Sequence, residues 1–484
     1  MAIDTTFPLL ANRRTKIVAT LGPASGTQDV IKALVDAGVD VFRLNMSHGN
    51  HDRHRENYHL IRDIAQTTGK HIAILADLAG PKIRTGLFPD GPITLTQGQW
   101  ITMTTRNVAG EPGLIPSQYD GLAKDVRPGD RVLLADGVME LRVESVADTE
   151  VQCTVVVGGE LGERKGINLP GVDVSAPSLT PKDRTDARFA MELGVDFLAQ
   201  SFVRHADDVR ELKQFIKSTG YQAFVIAKIE RPEALHDGDD ILKVADAIMV
   251  ARGDLGVELP PEEVPVAQRL LVDQARAQHK PVIVATQMLE SMVDHPRPTR
   301  AEVTDVSHTT FNGTDAIMLS AETATGAHPV LAVEMMDRIA RQTEAYLWAE
   351  GAFGGFRRIE IETPPIPFGD AIARSTALLS RDLLVRGIAV ITQGGMSATT
   401  VSSARPAAPV LALSSNPQTC RRMNLLWGVI PVLIGEEDLS DPMELVRRVV
   451  TQFKLAKPDD FVLLVQGFHK IANKNTPSIT LVRV

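Results

Sequence analysis

The chain has 484 residues, of which 44% are hydrophobic, and at roughly 150 residues per domain this length suggests about three domains. The formal net charge of -9 and the pI near 5.8 argue against a general binder of nucleic acids or membrane surfaces. An acidic protein can still concentrate cations in one cleft, so small anionic ligands remain possible.

The cysteines and the N-terminal residues indicate the compartment. Only two cysteines occur, Cys153 and Cys420, far apart and without a metal-ligand or CxxC spacing, so a disulfide framework is not expected and a reducing environment fits. The N-terminal residues lack a basic stretch before a long apolar one, and no segment approaches the about 18 apolar residues of a membrane-spanning helix. We expect a cytoplasmic protein with no nucleic-acid or membrane partner.

Eight short apolar segments recur along the chain, and amphipathic segments follow most of them. They span residues 16–21, 41–46, 72–78, 197–202, 224–230, 247–253, 282–287 and 316–322. Continuous apolar runs are typical of strands buried on both faces, and strands that alternate with helices form parallel sheets. Eight such units predict an α/β fold, a (β/α)8 TIM barrel, whose active site lies at the carboxyl ends of the strands.

Polar side chains stand where these segments end. They are Arg43, Asn45, Asp77, Ser201, Lys228, Glu230, Arg252, Asp254, Thr286 and Ser320. Lys228 and Glu230 are two residues apart in one strand and therefore point the same way. With Asp254 from the next strand, Glu230 would form the oxygen-ligand pair that Mg²⁺ accepts while it keeps waters and substrate oxygens. A structural salt bridge at the rim is the alternative, and the recurrence of polar strand ends favours chemistry.

The segment between the third and fourth barrel strands has a different pattern. Short strands separated by turn signals, such as Pro-Gly-Asp at 128–130, predict an inserted small antiparallel β-barrel domain at 85–177, which would hang over the rim as a lid. The catalytic barrel then takes residues 1–84 and 178–350. After a linker rich in glycine and proline, alternating helices and strands predict a C-terminal open α/β domain over 365–484. No P-loop or Rossmann glycine pattern is present in the sequence.

With these segments in place, the chain resembles the pyruvate kinase family over nearly its whole length. Eight motifs carry the resemblance, in the family's order: TKIVATLGPAS at 15–25, FRLNMSHG at 42–49, GPKIRTG at 80–86, KGINLPG at 165–171, IAKIERPEA at 226–234, MVARGDLGVELP at 249–260, ATQMLESM at 285–292 and PTRAEVTDV at 298–306. The resemblance implies transfer of the phosphoryl group of phosphoenolpyruvate to ADP, giving ATP and pyruvate. Such a transfer needs mainly positioning and charge neutralisation from the protein.

The resemblance also gives roles to the rim residues. Glu230 and Asp254 match the family's ligands of Mg²⁺ or Mn²⁺. Lys228 matches the lysine that neutralises the moving phosphoryl group, and Arg43 matches the arginine that clamps the phosphate, where a guanidinium fork suits paired oxygens.

Further positions match the substrate and nucleotide contacts of the family. Gly253, Asp254 and Thr286 resemble the cradle of the enolpyruvate carboxylate, and Thr286 also lies near the carbon that gains a proton, either directly or through water. Ser320 is a further candidate for the substrate site. The nucleotide-phosphate contacts are matched by Asn45, His48, Arg84 and Lys165, of which Lys165 comes from the lid. A satisfied hydrogen bond of the barrel would explain His48 or Ser320 equally well.

One departure from the family concerns a monovalent cation. Many pyruvate kinases hold potassium through groups that match Asn45, Ser47, Asp77 and a threonine, with a glutamate nearby. Here Leu78 stands at the threonine position and Lys82 at the glutamate position. Because one ligand oxygen is lost and a fixed ammonium is gained, we expect activity without K⁺, with Lys82 replacing the cation. The alternative is that Lys82 points to solvent and potassium binds through the remaining oxygens.

A second departure concerns regulation. In many members the C-terminal domain binds fructose 1,6-bisphosphate through a Thr/Ser-rich loop that often carries Lys or Arg. The matching loop here has no basic residue and keeps four hydroxyl side chains, Thr392, Ser397, Thr399 and Thr400. Lys470 and Lys474 in a later loop could meet an anion. We expect little effect of the bisphosphate, with another sugar phosphate, a nucleotide or no effector instead. Family members are usually homotetramers.

Two other functions remain open at this point. One is a metal-dependent aldolase or lyase acting on a pyruvate enolate, because such barrels also hold magnesium with a Glu and Asp pair; the lid, Lys228 and Lys165 argue against it. The other is a non-catalytic regulator that binds phosphoenolpyruvate. It would need a damaged site, whereas every expected catalytic residue is present.

Overall fold

The computed structural model describes residues 12–351, 353, 365–469 and 475–484. Most of the predicted linker, together with Lys470 and Lys474, lies outside the described residues. The chain folds into a barrel, an inserted β lid and a C-terminal α/β sheet.

The first three barrel strands coincide with the first three apolar segments. The elements are β1 (Lys16–Thr20), α1 (Gln28–Ala37), β2 (Val41–Asn45), α2 (His51–Thr68) and β3 (Ala73–Asp77). Gly38 and Gly69 end the two helices with φ of 112° and 65°. Glycine adopts this left-handed conformation without strain, so it turns the chain back toward the next strand.

The lid follows β3. Its elements are β4 (Ile93–Leu95), β5 (Trp100–Thr104), β6 (Leu114–Pro116), α3 (Leu122–Asp125), β7 (Arg131–Leu134), β8 (Met139–Ala147), β9 (Glu150–Val157), β10 (Gly159–Leu161) and β11 (Ile167–Asn168). Six strands form one curled sheet in the order β11-β7-β8-β9-β5-β6, and β10 pairs with β4. The β domain is therefore a half-barrel. It is antiparallel apart from the parallel pair β5–β6, and its inward residues form a separate hydrophobic core.

The remaining barrel strands return after the lid. The elements are α4 (Pro181–Leu193), β12 (Phe197–Gln200), α5 (Ala206–Thr219), β13 (Phe224–Ile229), α6 (Pro232–His236), α7 (Gly238–Val244), β14 (Ala247–Ala251), α8 (Arg252–Glu258), α9 (Val264–Ala277), β15 (Val282–Ala285), a 3-10 turn (Glu290–Val293), α10 (Arg300–Phe311), β16 (Ala316–Leu319), α11 (Ala321–Ala324) and α12 (Pro329–Ala349). The strands close in the order β1-β16-β15-β14-β13-β12-β3-β2, so the predicted (β/α)8 barrel is confirmed.

Alternate strand residues fill the interior of the barrel. Ile17 and Phe42 belong to the cluster that packs strands against the outer helices, and their neighbours along the strands point inward. The inward cluster contains Val18, Val41, Ala73, Leu75, Phe197, Ala199, Ile226, Ala247, Met249, Ile283, Ala285, Ala316 and Met318. Two positions further along, the same face carries polar side chains, because strand side chains alternate with a period of two. Among them are Arg43, Asp77 and Lys228.

The C-terminal domain is an open sheet flanked by helices. Its elements are α13 (Phe368–Asp382), β17 (Ile388–Ile391), α14 (Met396–Ser403), β18 (Val410–Ser414), α15 (Pro417–Met423), β19 (Val429–Leu433), a 3-10 turn (Glu437–Ser440), α16 (Pro442–Gln452), β20 (Phe461–Gln466) and β21 (Ser478–Arg483). The strand order is β19-β18-β17-β20-β21, and only β21 runs antiparallel to its neighbour.

This domain packs against the amino-terminal end of the barrel. Leu425 belongs to the cluster that fills the barrel interior. Lys16 Nζ donates to Val429 O at 2.8 Å, and Gly428 N donates to Arg14 O at 2.9 Å. The end of the barrel opposite the predicted active site is therefore closed by residues of the C-terminal domain, at and just before β19.

Both cysteines are buried and free. Burial raises the pKa of Cys153 to about 12 and that of Cys420 to about 11, so both remain thiols near neutral pH. Among the described residues, the helices are all too short or too polar to cross a membrane.

Candidate active site at the carboxyl ends of the barrel strands

A buried ammonium lies at the centre of the rim. Lys228, near the end of β13, is only 8% exposed, and its Nζ lies 2.8 Å from Glu230 Oε1 and 3.3 Å from Asp77 Oδ1. It also donates a hydrogen bond to Ser201 Oγ at 2.7 Å. Burial by itself would lower the pKa of Lys228, but the two carboxylates outweigh burial and raise the pKa above its ordinary value. Lys228 is therefore a fixed positive charge.

Asp77, the last residue of β3, links this ammonium to a guanidinium. Arg43 Nε donates to Asp77 Oδ2 at 2.7 Å, and Arg43 Nη1 donates to Thr20 Oγ1 at 3.2 Å. Burial would raise the pKa of Asp77, yet Lys228 and Arg43 hold this pKa below its usual range. Two cations thus converge on one ionised carboxylate at the barrel mouth, where either can also contact an anionic ligand.

The carboxylates of Glu230 and Asp254 repel each other. Glu230 accepts a hydrogen bond from Phe202 N at 2.6 Å. Burial raises the pKa of Glu230, Lys228 lowers it, and the charge of Asp254 raises it again, with a net increase. Asp254 lies in the first turn of α8. A divalent cation would neutralise this like-charged pair, so the donors fit Mg²⁺ or Mn²⁺.

The number of protein ligands also suits such an ion. Within the described ranges, no group of three or more His, Cys, Asp or Glu side chains could hold a metal. An ion at Glu230 and Asp254 would therefore rely on two carboxylates, with substrate and water oxygens completing its shell, as magnesium commonly does.

Thr286 follows β15 with φ of 70°, which is unusual for a β-branched residue. Gly253 N donates to Thr286 Oγ1 at 2.7 Å, and Thr286 Oγ1 donates to Ala285 O at 2.6 Å. Arg252 Nη2 donates to Thr286 O at 2.8 Å and is anchored by Asp305, 2.7 Å from Arg252 Nη1. Arg252, a rim residue in the sequence, thus holds the Thr286 backbone against the start of α8.

The loop after β2 carries two of the expected nucleotide contacts. Asn45 Oδ1 accepts from Ser47 N at 3.1 Å, and His48 N donates to Asn45 O at 3.2 Å. The carbonyl of His48 lies 2.9 Å from His54 Nε2 of α2, while the His48 side chain is exposed. These bonds fix the backbone and leave the imidazole of His48 available.

The other two expected nucleotide contacts lie where the lid joins the barrel. Arg84 Nη1 donates to Arg164 O at 3.1 Å. Lys165 N donates to Thr85 Oγ1 at 2.9 Å, and Thr85 N donates to Lys165 O at 2.8 Å. The backbone of Lys165 is therefore fixed while its side chain is exposed.

Lys82 lies between barrel and lid. Its Nζ lies 3.5 Å from Asp254 Oδ1 and 3.8 Å from Asp136 Oδ1 of the lid, beside a cleft of about 600 Å³. Leu78 is 2% exposed and belongs to the hydrophobic core, so it offers no side-chain oxygen to a cation. The ammonium of Lys82 thus pairs with Asp254, whereas Asp77 is paired with the two other cations of the rim.

Ser320 follows β16 at the barrel rim, whereas the predicted effector loop belongs to the C-terminal domain. Ser320 N donates to Glu322 Oε2 at 2.7 Å, and Ser320 Oγ is buried without a partner in the described part of the chain. In the effector loop, Thr399 Oγ1 donates to Gly395 O at 3.0 Å and Thr400 Oγ1 donates to Met396 O at 3.0 Å. Thr392 Oγ1 accepts from Gly395 N at 3.1 Å, and Ser397 is 4% exposed.

Sequence reasoning missed several groups that hold the site. Thr20 supports Arg43, and its inward position two residues beyond Val18 could have revealed it. The amide of Phe202 supports Glu230, but this residue has φ of 56°, which no motif indicates. Asp136 of the lid reaches Lys82 only because a long insertion folds back over the rim.

The fold and the site define a (β/α)8-barrel enzyme with a lid, in which cations and carboxylates meet at the carboxyl ends of the strands. The family models described as pyruvate kinase, barrel domain, and pyruvate kinase, alpha/beta domain, match residues 12–333 and 370–480. The chain belongs to the pyruvate kinase family.

Individual relatives agree over the full length. A pyruvate kinase of Agrobacterium vitis is 42% identical over 98% of this chain and 97% of its own. One of Thermotoga maritima is 41% identical over 96% of this chain and 98% of its own. A crystal structure of a pyruvate kinase from Cryptosporidium parvum superimposes with a TM-score of 0.88 at 34% identity, covering 98% of this chain and 97% of that one.

Proposed function

We propose that this chain transfers the phosphoryl group of phosphoenolpyruvate to ADP and releases ATP and pyruvate. The carrying observation is the Lys228 ammonium held between Asp77 and Glu230 at the barrel mouth. Arg43 adds a second cation on the same carboxylate. Phosphoryl transfer needs this kind of fixed positive charge where the phosphoryl oxygens move.

The metal and the two cations divide the charge between them. A divalent cation bound by Glu230 and Asp254 would neutralise substrate carboxylate and phosphate oxygens. Lys228 acts as a point charge on the moving phosphoryl group. Its carboxylate partners raise its pKa, so it carries a full positive charge near neutral pH. Arg43 offers a planar fork to the phosphate.

Thr286 and the start of α8 are assigned to the carboxylate end of the substrate. Gly253 N and Thr286 Oγ1 already share a hydrogen bond of 2.7 Å, and the amide of Asp254 follows in the same turn. Backbone amides at a helix start favour an anion. Ser320 Oγ, which is buried and unpaired in the described residues, is proposed as a further contact.

ADP is assigned to the gap between barrel and lid. Asn45 and His48 approach from the barrel, and Arg84 and Lys165 approach from the lid junction. Because Lys165 belongs to the lid, closure would bring its charge to the nucleotide phosphates and complete the site.

We also propose that activity does not require potassium. Leu78 has no side-chain oxygen, and Asp77 is already bound by Arg43 and Lys228. Lys82 brings an ammonium to within 3.5 Å of Asp254 Oδ1. The Asn45 and Ser47 side chains alone would then be too few ligands for a tightly bound potassium ion.

Regulation and assembly complete the proposal. The effector loop lacks basic residues and uses the hydroxyls of Thr392, Thr399 and Thr400 in its own hydrogen bonds, so fructose 1,6-bisphosphate should have little effect. We propose domains at 1–84 with 178–350, 85–177 and 365–484, because the barrel, the lid and the C-terminal sheet each have a hydrophobic cluster; Ile83 packs in the lid cluster. A homotetramer is proposed from the family resemblance.

A coupled assay tests the reaction. Pyruvate formation from phosphoenolpyruvate is measured with Mg²⁺, with and without ADP, in potassium-free buffer containing tetramethylammonium. Pyruvate that appears only with ADP supports the proposal. Cleavage of a pyruvate aldol without ADP would favour the aldolase, and binding of phosphoenolpyruvate without turnover would favour the regulator. Strong activation by added potassium would overturn the potassium proposal alone.

A further inference from the structure

Both chain segments that join lid and barrel meet at one buried carboxylate, Asp183. On the segment that runs from β3 into the lid, here called the outgoing segment, Gly80 N donates to Asp183 Oδ1 at 3.0 Å. On the segment that returns from the lid to α4, here called the incoming segment, Thr180 N and Thr180 Oγ1 donate to Asp183 Oδ2 at 2.9 and 2.6 Å. Asp183 is 0% exposed and lies in the first turn of α4. One side chain therefore fastens the two hinge segments to each other and to the barrel.

The same helical turn also holds the nucleotide loop. Lys182 Nζ donates to Met46 O at 2.8 Å, inside the turn formed by residues 45–48, and it pairs with Asp186 at 2.5 Å. The start of α4 thus contacts two regions. One is the barrel loop with Asn45 and His48, and the other is the hinge of the lid; the lid itself carries Lys165.

The outgoing segment leaves little room to move where Asp183 binds it. Gly80 has φ of 67°, and a Cβ there would lie 2.8 Å from Phe202 Cδ2 and 2.9 Å from Ser201 Cβ. Ser201 Oγ donates to Leu78 O at 2.8 Å. Because Ser201 and Phe202 also support Lys228 and Glu230, the hinge is packed directly against the groups that hold the phosphoryl-transfer residues.

Other contacts between lid and barrel differ in kind. Arg231 Nη2 donates to Val172 O at 3.0 Å, and Asn168 Nδ2 donates to Glu258 Oε1 at 3.2 Å. Each joins one point of the lid side to one barrel side chain, so each can separate when the lid swings away. Asp183 instead binds both segments at their roots, where a rotation produces the smallest displacement.

We propose that Asp183 is a positioning residue that forms the pivot of the lid, so that closure delivers Lys165 in register with the 45–48 loop. The proposal rests on the proposed function for its kinetic consequences. Loss of the pivot should raise the KM for ADP, because the proposed ADP site includes residues of both lid and barrel. The KM for phosphoenolpyruvate should change little, because its proposed site consists of barrel residues.

The test compares Asp183→Asn with a matched variant, Glu302→Gln. Glu302 caps α10 in the same way through Thr299 and also binds Ser291 N at 2.7 Å, but it contacts neither lid nor nucleotide loop. Asp183→Asn leaves one acceptor oxygen for two amides, so hydrogen exchange at Gly80 or Thr180 should speed up about tenfold in the substrate-free protein. Its KM for ADP should rise about tenfold, with the KM for phosphoenolpyruvate within about twofold.

Each outcome decides the proposal. Glu302→Gln should lower the melting temperature without an ADP effect; if it reproduces the ADP effect, Asp183 is only a helix cap. Unchanged exchange at both amides, or equal shifts in both KM values, would also overturn the pivot. If Asp183→Asn does not fold, Thr180→Val removes the hydroxyl partner and should shift the ADP KM in the same direction. If the wild-type protein makes no pyruvate, the proposed reaction is wrong. The hydrogen-exchange experiment still decides whether Asp183 holds the two hinge segments.

Discussion

Replacing Lys228 with methionine removes the ammonium and keeps the length of the side chain. In the structure that ammonium lies 2.8 Å from Glu230 Oε1 and 3.3 Å from Asp77 Oδ1, and both carboxylates are 1% exposed. Removing one partner of a buried ion pair costs about 3–5 kcal/mol. Asp77 keeps Arg43 and Glu230 keeps the amide of Phe202, so we expect the lower end, about 3 kcal/mol.

The loss of activity should be larger than the loss of stability would explain. A fixed charge aimed at the reacting group typically contributes about 10²–10³ in kcat, so Lys228→Met should reduce kcat by at least about a hundredfold in the coupled pyruvate assay. Binding of Mn²⁺ to the substrate-free protein should tighten, because Glu230 Oε1 no longer pairs with an ammonium. Electron paramagnetic resonance of free Mn²⁺ measures this directly.

A control variant separates the effect of losing an ion pair from the effect of losing the catalytic charge. Lys213 lies 2.8 Å from Asp246 in a more exposed pair away from the rim, and Lys213→Met should cost at most about 1 kcal/mol and leave kcat unchanged. A folded Lys228→Met protein with kcat within about tenfold of the wild type would refute the assigned role. Weaker Mn²⁺ binding would contradict the competition between ammonium and metal.

Three further variants or measurements test other parts of the site. Lys82→Glu restores the family's glutamate, and activity in tetramethylammonium should then fall at least about tenfold below activity in potassium; equal activity in both buffers would contradict the role of Lys82. Lys165→Ala should raise the KM for ADP about tenfold, as loss of a charge-assisted contact does, whereas Lys124→Ala on the same domain should not. Because burial raises the pKa of Cys153 to about 12 and of Cys420 to about 11, neither should react with a disulfide reagent at pH 8 until the protein is denatured; rapid reaction of the native protein would show an exposed thiolate.

The barrel could be predicted from sequence because its strands are buried on both faces. Strand β13 runs from Phe224 to Ile229, inside the apolar segment at 224–230, and the other barrel strands coincide equally well. The short lid strands β4, β6, β10 and β11 have only two or three residues. That length is too small for a period of two to stand out, so the sequence did not reveal them.

The site divides along similar lines. Residues at the ends of strands, such as Lys228 and Asp77, could be predicted because parallel strands bring their carboxyl ends to one rim. The ion pairs between them could not be predicted. Asp77 binds both Arg43 and Lys228, and this depends on the register of three strands. The neighbours of Lys82 depend on how a long insertion folds back, since one of its partners is Asp136 of the lid.

Leu425 lies in the turn before β19 of the C-terminal sheet and belongs to the inward cluster of the barrel. The floor of the catalytic chamber therefore belongs to a different part of the chain than its walls. A barrel separated from that sheet would expose an apolar opening at its base, and apolar openings of this kind favour aggregation. The two units therefore stabilise each other through this shared apolar contact.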